Sequence, residues 1–90
     1  MLLSNLISDY KGQDIEITNI TSNTKLVKPG ALFICIKGTR FDGHNFIDEA
    51  IQNGASFIIS EKNLQTDMPY LVVQDSYKYS INLYKKFYGN

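Results

Sequence analysis

One run of the chain, Leu32–Ile36, is apolar at every position, so an extended strand here would have no polar face. A strand with one wet face alternates apolar and polar residues, whereas a strand covered on both faces is continuously apolar. The run therefore predicts an interior strand with packed layers on both sides of its sheet. Two other mainly apolar runs, Ala55–Ile59 and Tyr70–Val73, predict further strands.

Turn and cap residues predict how these strands are connected. Pro29-Gly30 fits the two central positions of a type II turn, where glycine supplies the positive φ. Asp42 is a predicted N-cap, and Gly54 the predicted end, of a helix between the first two apolar runs. The predicted buried stripe of that helix contains Phe46, Ile47, Ala50 and Ile51.

Helices are also predicted near both ends of the chain. The first has one apolar face and ends at Gly12, and the isoleucines within residues 15–20 predict a strand after it. Asp75 or Ser76 is predicted to cap the last helix, which ends at Gly89. The apolar face predicted for the first helix consists of Leu2, Leu3, Leu6, Ile7 and Tyr10. The face predicted for the last consists of Tyr77, Ile81, Tyr84 and Tyr88, flanked by Ser80, Leu83 and Phe87.

The resulting order is helix, strand, strand, helix, strand, strand, helix. This order predicts the α/β class, as one small domain over residues 1–90 with a mixed sheet of about four strands flanked by helices. A chain of 90 residues is long enough for one modest core and too short for two lobes.

The charge balance excludes two classes of partner. Lys plus Arg and Asp plus Glu both number 9, which gives a formal net charge of zero. Nucleic acid and anionic membrane surfaces attract proteins with a basic excess, so neither is a predicted partner. The longest apolar run, Ala31–Ile36, is far shorter than the ~20 residues of a membrane span. With no secretory signal pattern and a single cysteine, Cys35, a cytoplasmic location is expected.

Catalytic and metal chemistry are predicted to be absent from these 90 residues. One histidine and one cysteine cannot form a zinc site alone, and burial in the most apolar strand makes the Cys35 thiol inert. His44 is expected to order the first turn of its helix through a hydrogen bond. The six glycines match neither of the common phosphate-binding spacings, so no loop for ATP is predicted.

Two polar loops form the candidate binding site. The loop Lys37–Gly43 offers the hydroxyl of Thr39, the forked donors of Arg40 and the flat face of Phe41. Residues Ser22–Thr24 provide short polar side chains suited to a uracil edge or to ribose hydroxyls. The same residue types also fit a solvated loop with a capping aspartate, so chemistry alone leaves both interpretations open.

Four short motifs follow one another at a defined spacing. They are Asn23-Thr24-Lys25, then Val27-Lys28-Pro29-Gly30-Ala31-Leu32-Phe33, then Lys37-Gly38, then Asp42-Gly43-His44-x-Phe46-Ile47. This order resembles the N-terminal domain of the Mur ligases, whose pattern is Asp-Ser-Arg, Val-x-Pro-Gly-Asp-Leu-Phe, Lys-Gly and Asp-Gly-His-x-Phe-Ile. The resemblance covers nearly the whole chain. The closing Phe87-Tyr88-Gly89-Asn90 is similar to the segment that ends this domain in the MurE type.

Mur ligases are cytoplasmic, ATP-dependent enzymes that add amino acids to the UDP-N-acetylmuramoyl peptide precursor of peptidoglycan. The resemblance implies a domain that binds the uridine diphosphate part of UDP-N-acetylmuramoyl-dipeptide, in an enzyme that adds the third peptide residue. It implies no catalytic residue and no metal ligand in this chain. ATP, magnesium, and the central ATPase and C-terminal domains would belong to a longer ligase, the rest of which is a predicted partner. The implied substrate-binding residues are Ser22, Thr24, Thr39, Arg40 and Phe41.

The first loop departs from the family pattern. Asn23 lacks the negative charge of the usual aspartate, and Lys25 cannot reproduce the bidentate geometry of arginine. The loop is therefore expected to be held differently or to bind more weakly. Two alternatives remain open: a domain of the MurF type, whose ligase adds the terminal dipeptide, and a stand-alone interaction module without catalysis. The 90 residues by themselves are not expected to be a ligase, and they do not specify which amino acid is added.

Overall fold

In the part of the chain that the structure describes, four parallel strands form one sheet, and they lie side by side in the order in which they occur along the chain. A computed structural model describes residues 1–89. The strands are β1 (Asn19–Thr21), β2 (Ala31–Ile34), β3 (Phe57–Ser60) and β4 (Tyr70–Val72). The α/β class is confirmed, but the sheet is parallel throughout rather than mixed. Every connection returns the chain to the same end of the sheet, so the carboxyl ends of all four strands meet at one edge.

Within residues 1–89, three α-helices cover the two faces of the sheet. They are α1 (Leu3–Leu6), α2 (Ile47–Gln52) and α3 (Ser76–Tyr88). Helices α1 and α3 contribute to a core cluster on one face, and α2 contributes to a second cluster on the other. The element order predicted from the sequence is therefore confirmed.

The amino-terminal segment differs from its prediction because its backbone pairs with residues 15–17. The backbone N–H of Leu3 donates to the carbonyl of Ile15 at 2.7 Å, and that of Ile17 donates to the carbonyl of Met1 at 2.8 Å. Helix α1 consequently ends at Leu6, and the first predicted strand enters the sheet only at Asn19. Tyr10 lies beyond the helix, where its ring packs edge-on against that of Phe57 in the core.

Successive side chains along each strand point to opposite faces of the sheet, which divides the core into two parts. Leu32, Ile34 and Ile59 point toward α1 and α3, while Phe33 and Ile58 point toward α2. All positions of β2 and β3 are buried, which confirms that these runs are interior strands. Each buried leucine, isoleucine or phenylalanine of these strands contributes about 1.5–3 kcal/mol of burial free energy, so the central strands anchor the loops that follow them.

The helix that follows β2 begins with a tighter turn than predicted. Asp42 acts as a cap, as expected, but it caps a 3₁₀ helix, Gly43–Phe46, and α2 begins only at Ile47. A 3₁₀ helix winds at 3.0 rather than 3.6 residues per turn, which rotates Phe46 away from the helical stripe. Phe46 is 37% exposed, and Ala50 is the fully buried member of the predicted stripe.

Two glycines take the positive φ that their turns require. Gly30 has a φ of 89° in the Pro-Gly turn before β2, and Gly54 has a φ of 114° after α2. The predictions for both positions are confirmed. The two residues also meet, because the N–H of Gly30 donates to the carbonyl of Gly54 at 2.9 Å.

Helix α3 is capped as predicted, and its packing face matches the prediction only in part. The Asp75 side chain accepts a hydrogen bond from the backbone N–H of Lys78. The buried residues of the helix are Ser76, Ser80 and Leu83, of which the last two flank the predicted face. Tyr84 of that face packs against the core, whereas Tyr77, Ile81 and Tyr88 are exposed. Asn90, the last residue of the closing motif, lies outside the described residues.

The Tyr88 hydroxyl covers part of the free edge of β1. It accepts a hydrogen bond from the backbone N–H of Ile20 at 3.1 Å. We expect Tyr88→Phe to lower the free energy of unfolding by about 1 kcal/mol, because the Ile20 N–H loses its partner. Urea denaturation would measure the change. Tyr77→Phe on the exposed side of the same helix is the matched control, and an equal loss in both variants would contradict the assignment.

Candidate functional site

A groove opens at the carboxyl ends of β1 and β2, where ligands commonly bind in open α/β sheets. It has a volume of about 460 Å³. The loop after β1 forms one side, and the loop after β2 with the 3₁₀ helix Gly43–Phe46 forms the other. The lining residues are Ser22, Asn23, Thr24, Lys25, Phe33, Phe41, Gly43 and Phe46.

The first loop is held by its own short side chains. The Thr21 hydroxyl accepts from the backbone N–H of Asn23 at 3.0 Å, and the Asn23 side chain accepts from the backbone N–H of Lys25 at 3.0 Å. Asn23 thereby caps a 3₁₀ helix, Thr24–Leu26. The loop is thus ordered locally by an amide and a hydroxyl, although the aspartate and arginine of the family pattern are both replaced.

Thr24 also ties this loop to helix α2 and the residue that follows it. Its hydroxyl donates to the Glu49 carboxylate at 2.6 Å, and its carbonyl accepts from the Asn53 side chain at 3.0 Å. In this arrangement the hydroxyl oxygen keeps lone pairs that can accept from a ligand, such as the N–H of a uracil edge.

The second loop folds back on itself between Lys37 and Asp42. Gly38 N–H donates to the Phe41 carbonyl at 2.8 Å, and Gly43 N–H donates to the Ile36 carbonyl at 2.9 Å. These bonds place Thr39 and Arg40 at an exposed tip outside the groove lining.

Of the five residues predicted from the resemblance, the structure brings three together. Ser22, Thr24 and Phe41 line the groove. Thr39 and Arg40 belong to the same loop as Phe41, but their side chains extend from its tip into solvent.

Two rings beside the predicted Phe41 also line the groove, and sequence reasoning missed both. Phe41 is 61% exposed and meets Phe46 edge-on, with ring centroids 5.9 Å apart, above the buried ring of Phe33. The sequence assigns Phe46 to the core because it is apolar at a helical spacing, and Phe33 because it lies in the central strand. The exposed rings and the apolar floor suit the face of a flat ligand ring.

Gly43 allows the rim to lie close to β2. A Cβ added there would lie 2.8 Å from the backbone nitrogen of Ile36 and 3.1 Å from the Cα of Cys35. Only glycine fits this approach without displacing backbone. Its place between Asp42 and His44 is visible in the sequence, but its contact with the two residues after β2 is not.

His44 has the structural role predicted for it. Its Nδ1 lies 2.6 Å from a carboxylate oxygen of Asp42, and its Nε2 accepts from the backbone N–H of Glu61 at 2.9 Å. Hydrogen bonds from the backbone N–H and then the ring of His44 hold the pKa of Asp42 below its usual value.

The surroundings of Cys35 make its thiol inert, as predicted. It is fully buried, and burial raises the pKa of its thiol to about 12. Among residues 1–89, no three histidine, cysteine or acidic side chains form a group that could hold a metal ion. Within that same span, no helix is long and apolar enough to cross a membrane.

Comparison with known proteins gives a consistent set of relatives. A family model described as "Mur ligase family, catalytic domain" matches residues 16–87. The chain is 46% identical over 76 residues to the UDP-N-acetylmuramoyl-L-alanyl-D-glutamate--2,6-diaminopimelate ligase of Listeria innocua, covering 84% of this chain and 16% of that protein. It is 38% identical over 71 residues to the UDP-N-acetylmuramoyl-tripeptide--D-alanyl-D-alanine ligase of Escherichia coli, covering 79% and 16%.

Solved structures of Mur ligases share the fold. The crystal structure of MurF from Acinetobacter baumannii matches with a TM-score of 0.71 at 28% identity, covering 84% of this chain and 16% of the other. MurF from Thermotoga maritima, in complex with ADP, matches with a TM-score of 0.67 at 38% identity, covering 83% and 18%. The chain thus spans about a sixth of the length of these relatives.

Proposed function

Because the chain belongs to the Mur ligase family, as its N-terminal domain, we propose that it binds the uridine diphosphate part of UDP-N-acetylmuramoyl-dipeptide. The ligase that it serves is of the MurE type and adds the third peptide residue in the cytoplasm. ATP and magnesium act in the remainder of that ligase, which is the domain's partner. In this role the domain holds the substrate and performs no chemistry itself.

The groove at the carboxyl ends of β1 and β2 is the observation that supports the proposal most. Its polar side carries the hydroxyls of Ser22 and Thr24, which suit the edge of a uracil or a ribose. Its opposite rim carries Phe41, whose exposed face suits stacking on the base.

Arg40 and Thr39 are assigned to the diphosphate. Both stand at the tip of the same loop as Phe41 and are exposed. The arginine fork matches phosphate oxygens, and the threonine hydroxyl adds a donor. In this arrangement the base lies in the groove and the charged part of the ligand extends past the loop tip.

The MurE type is favoured over the MurF type by similarity. The diaminopimelate ligase of Listeria innocua is 46% identical and the Escherichia coli dipeptide-adding ligase 38%. The closing Phe87-Tyr88-Gly89 agrees with the same choice. The two types can be distinguished by the substrate of a ligase that contains this chain. A MurE-type ligase would use a UDP-linked dipeptide, and a MurF-type ligase a UDP-linked tripeptide.

The binding proposal can be tested by titrating the chain with UDP and with uridine while recording amide NMR shifts. We expect shifts at residues 22–25 and 39–43 with both ligands. Arg40→Ala should weaken UDP binding by about fivefold, a modest factor because the side chain is exposed, and leave uridine binding unchanged. Lys28→Ala, an exposed cation in the turn at the amino end of β2, is the matched control. No shifts at either loop would contradict the proposal.

A non-catalytic interaction module is the competing function, and the altered first loop is what favours it. Restoring the family pattern with Asn23→Asp, Thr24→Ser and Lys25→Arg separates the two. If the restored chain and the original both fail to bind UDP, the loop change does not explain the failure and the interaction module is favoured.

A further inference from the structure

A chain of hydrogen bonds connects the groove to helix α3. Asp42 pairs with the ring of His44, whose Nε2 accepts from the backbone N–H of Glu61. The Glu61 carboxylate in turn accepts from the backbone N–H of Ser76 at 2.8 Å and from its hydroxyl at 3.0 Å. Ser76 is the first residue of α3, where the helix dipole favours a carboxylate.

The direction of these bonds determines the protonation state of the ring. Nε2 must carry a lone pair to accept from the Glu61 N–H, so the proton of a neutral ring lies on Nδ1 and points to Asp42. The His44 side chain is only 3% exposed, so water has little access to substitute for either partner.

Gly43 and Phe41 lie on either side of Asp42 in the chain, and both line the groove. The bonds of His44 therefore fasten the groove-forming loop to the segment after β3. Without them, that loop is attached to the sheet mainly through the Gly43 N–H and the Ile36 carbonyl.

We infer that His44 is a positioning residue for the uridine nucleotide site: its neutral ring clamps the loop Lys37–Gly43 to Glu61, and protonation of the ring opens the clamp. This inference rests on the proposed function. An imidazolium donates from both nitrogens, so its Nε2–H would face the Glu61 N–H donor. The loop then loses its attachment, and the ligand site loses its shape.

The other charged groups near the ring are Asp42 on the same turn, Asp48 of α2, and Lys62 after β3, which acts on Asp42. The Glu61 carboxylate is engaged by Ser76, so accepting from the ring would disturb the start of α3. Asp42 can keep its bond to Nδ1 in either state. The clamp therefore opens at the Glu61 amide and not at Asp42.

The test compares affinity for UDP-N-acetylglucosamine at pH 8 and pH 5 in three proteins. This probe has a diphosphate esterified at both ends, so it lacks the terminal phosphate that titrates at a pKa of about 6. Wild-type affinity is expected to fall by about 3- to 10-fold at pH 5, the factor that one hydrogen bond provides. His44→Gln places an amide oxygen where Nε2 lies, so its affinity should be the same at both pH values. His44→Ala should bind weakly at both.

A second measurement does not depend on the nucleotide. In the free chain, the Nε2 nitrogen shift of His44 and the amide shift of Glu61 should change together as the pH falls. A ring protonated on Nε2 at pH 8 would overturn the inference. Equal wild-type affinity at both pH values while the ring titrates would overturn it and leave the proposed function intact. No nucleotide binding at either pH overturns the proposed function, and this inference with it.

Discussion

Gly54→Ala is expected to lower the free energy of unfolding by about 3–5 kcal/mol, because backbone strain and the steric overlap of the new Cβ add up at this position. The backbone φ of 114° is one that L side chains rarely adopt. A Cβ at this position would also lie 2.7 Å from the Cα of Pro29 and 2.8 Å from its nitrogen. These are backbone atoms of the turn before β2, so the overlap cannot be relieved by rotating a side chain.

Thermal unfolding of the Gly54→Ala protein would check this expectation. For a domain of this size, the loss corresponds to a fall in melting temperature of roughly 12 °C or more. Gly38→Ala is the matched control, because its Cβ would meet only one backbone oxygen, at 3.2 Å, in an exposed loop. Similar melting temperatures for the two variants would mean that the contact between Gly54 and Pro29 is not a structural constraint.

Phe33→Ala is expected to lower the free energy of unfolding by about 3–5 kcal/mol and to remove the floor of the groove. Phe33 is 1% exposed, lies in the central strand β2 and belongs to the core cluster that includes Ala50 of α2. Its truncation leaves a cavity on that face of the sheet. Urea denaturation would measure the loss, which is large relative to the total stability of a small domain.

A milder pair of substitutions separates packing from binding. Phe33→Leu and Phe57→Leu remove the same atoms from opposite faces of the sheet, since Phe57 packs edge-on against Tyr10 on the other side. Both should lose similar stability, but only Phe33→Leu should weaken binding of uridine nucleotides. Equal affinity in both variants would exclude Phe33 as a floor for the ligand.

Much of the fold could be predicted because it depends on local chemistry. The continuous apolar run at β2 requires cover on both faces, and it has that cover. Asp75 caps α3 because a carboxylate can reach the free N–H of Lys78 three residues on, whatever the rest of the molecule does. Gly30 and Gly54 take conformations that other residues avoid.

The packing face of α3 could be predicted only in part. Tyr77 and Ile81 share a helical face with two other tyrosines, and hydrophobicity alone assigns that face to the core. In the structure Tyr84 and the flanking Leu83 pack on the core, whereas Tyr77 and Ile81 are exposed. Hydrophobicity and periodicity do not specify how the helix is placed relative to the sheet, and that placement decides which of these side chains are covered.

For the candidate site, the sequence by itself determined which residue types follow the strands and, through the family pattern, which five of them to examine. Only the tertiary structure decided that Ser22, Thr24 and Phe41 line a common groove. It also placed Thr39 and Arg40 at the exposed tip of the second loop, outside that groove. It also decided that Phe46 is a rim residue and that His44 joins the loop to Glu61. Local patterns depend on neighbours in the chain, whereas these contacts depend on where a parallel sheet brings the ends of separate strands together.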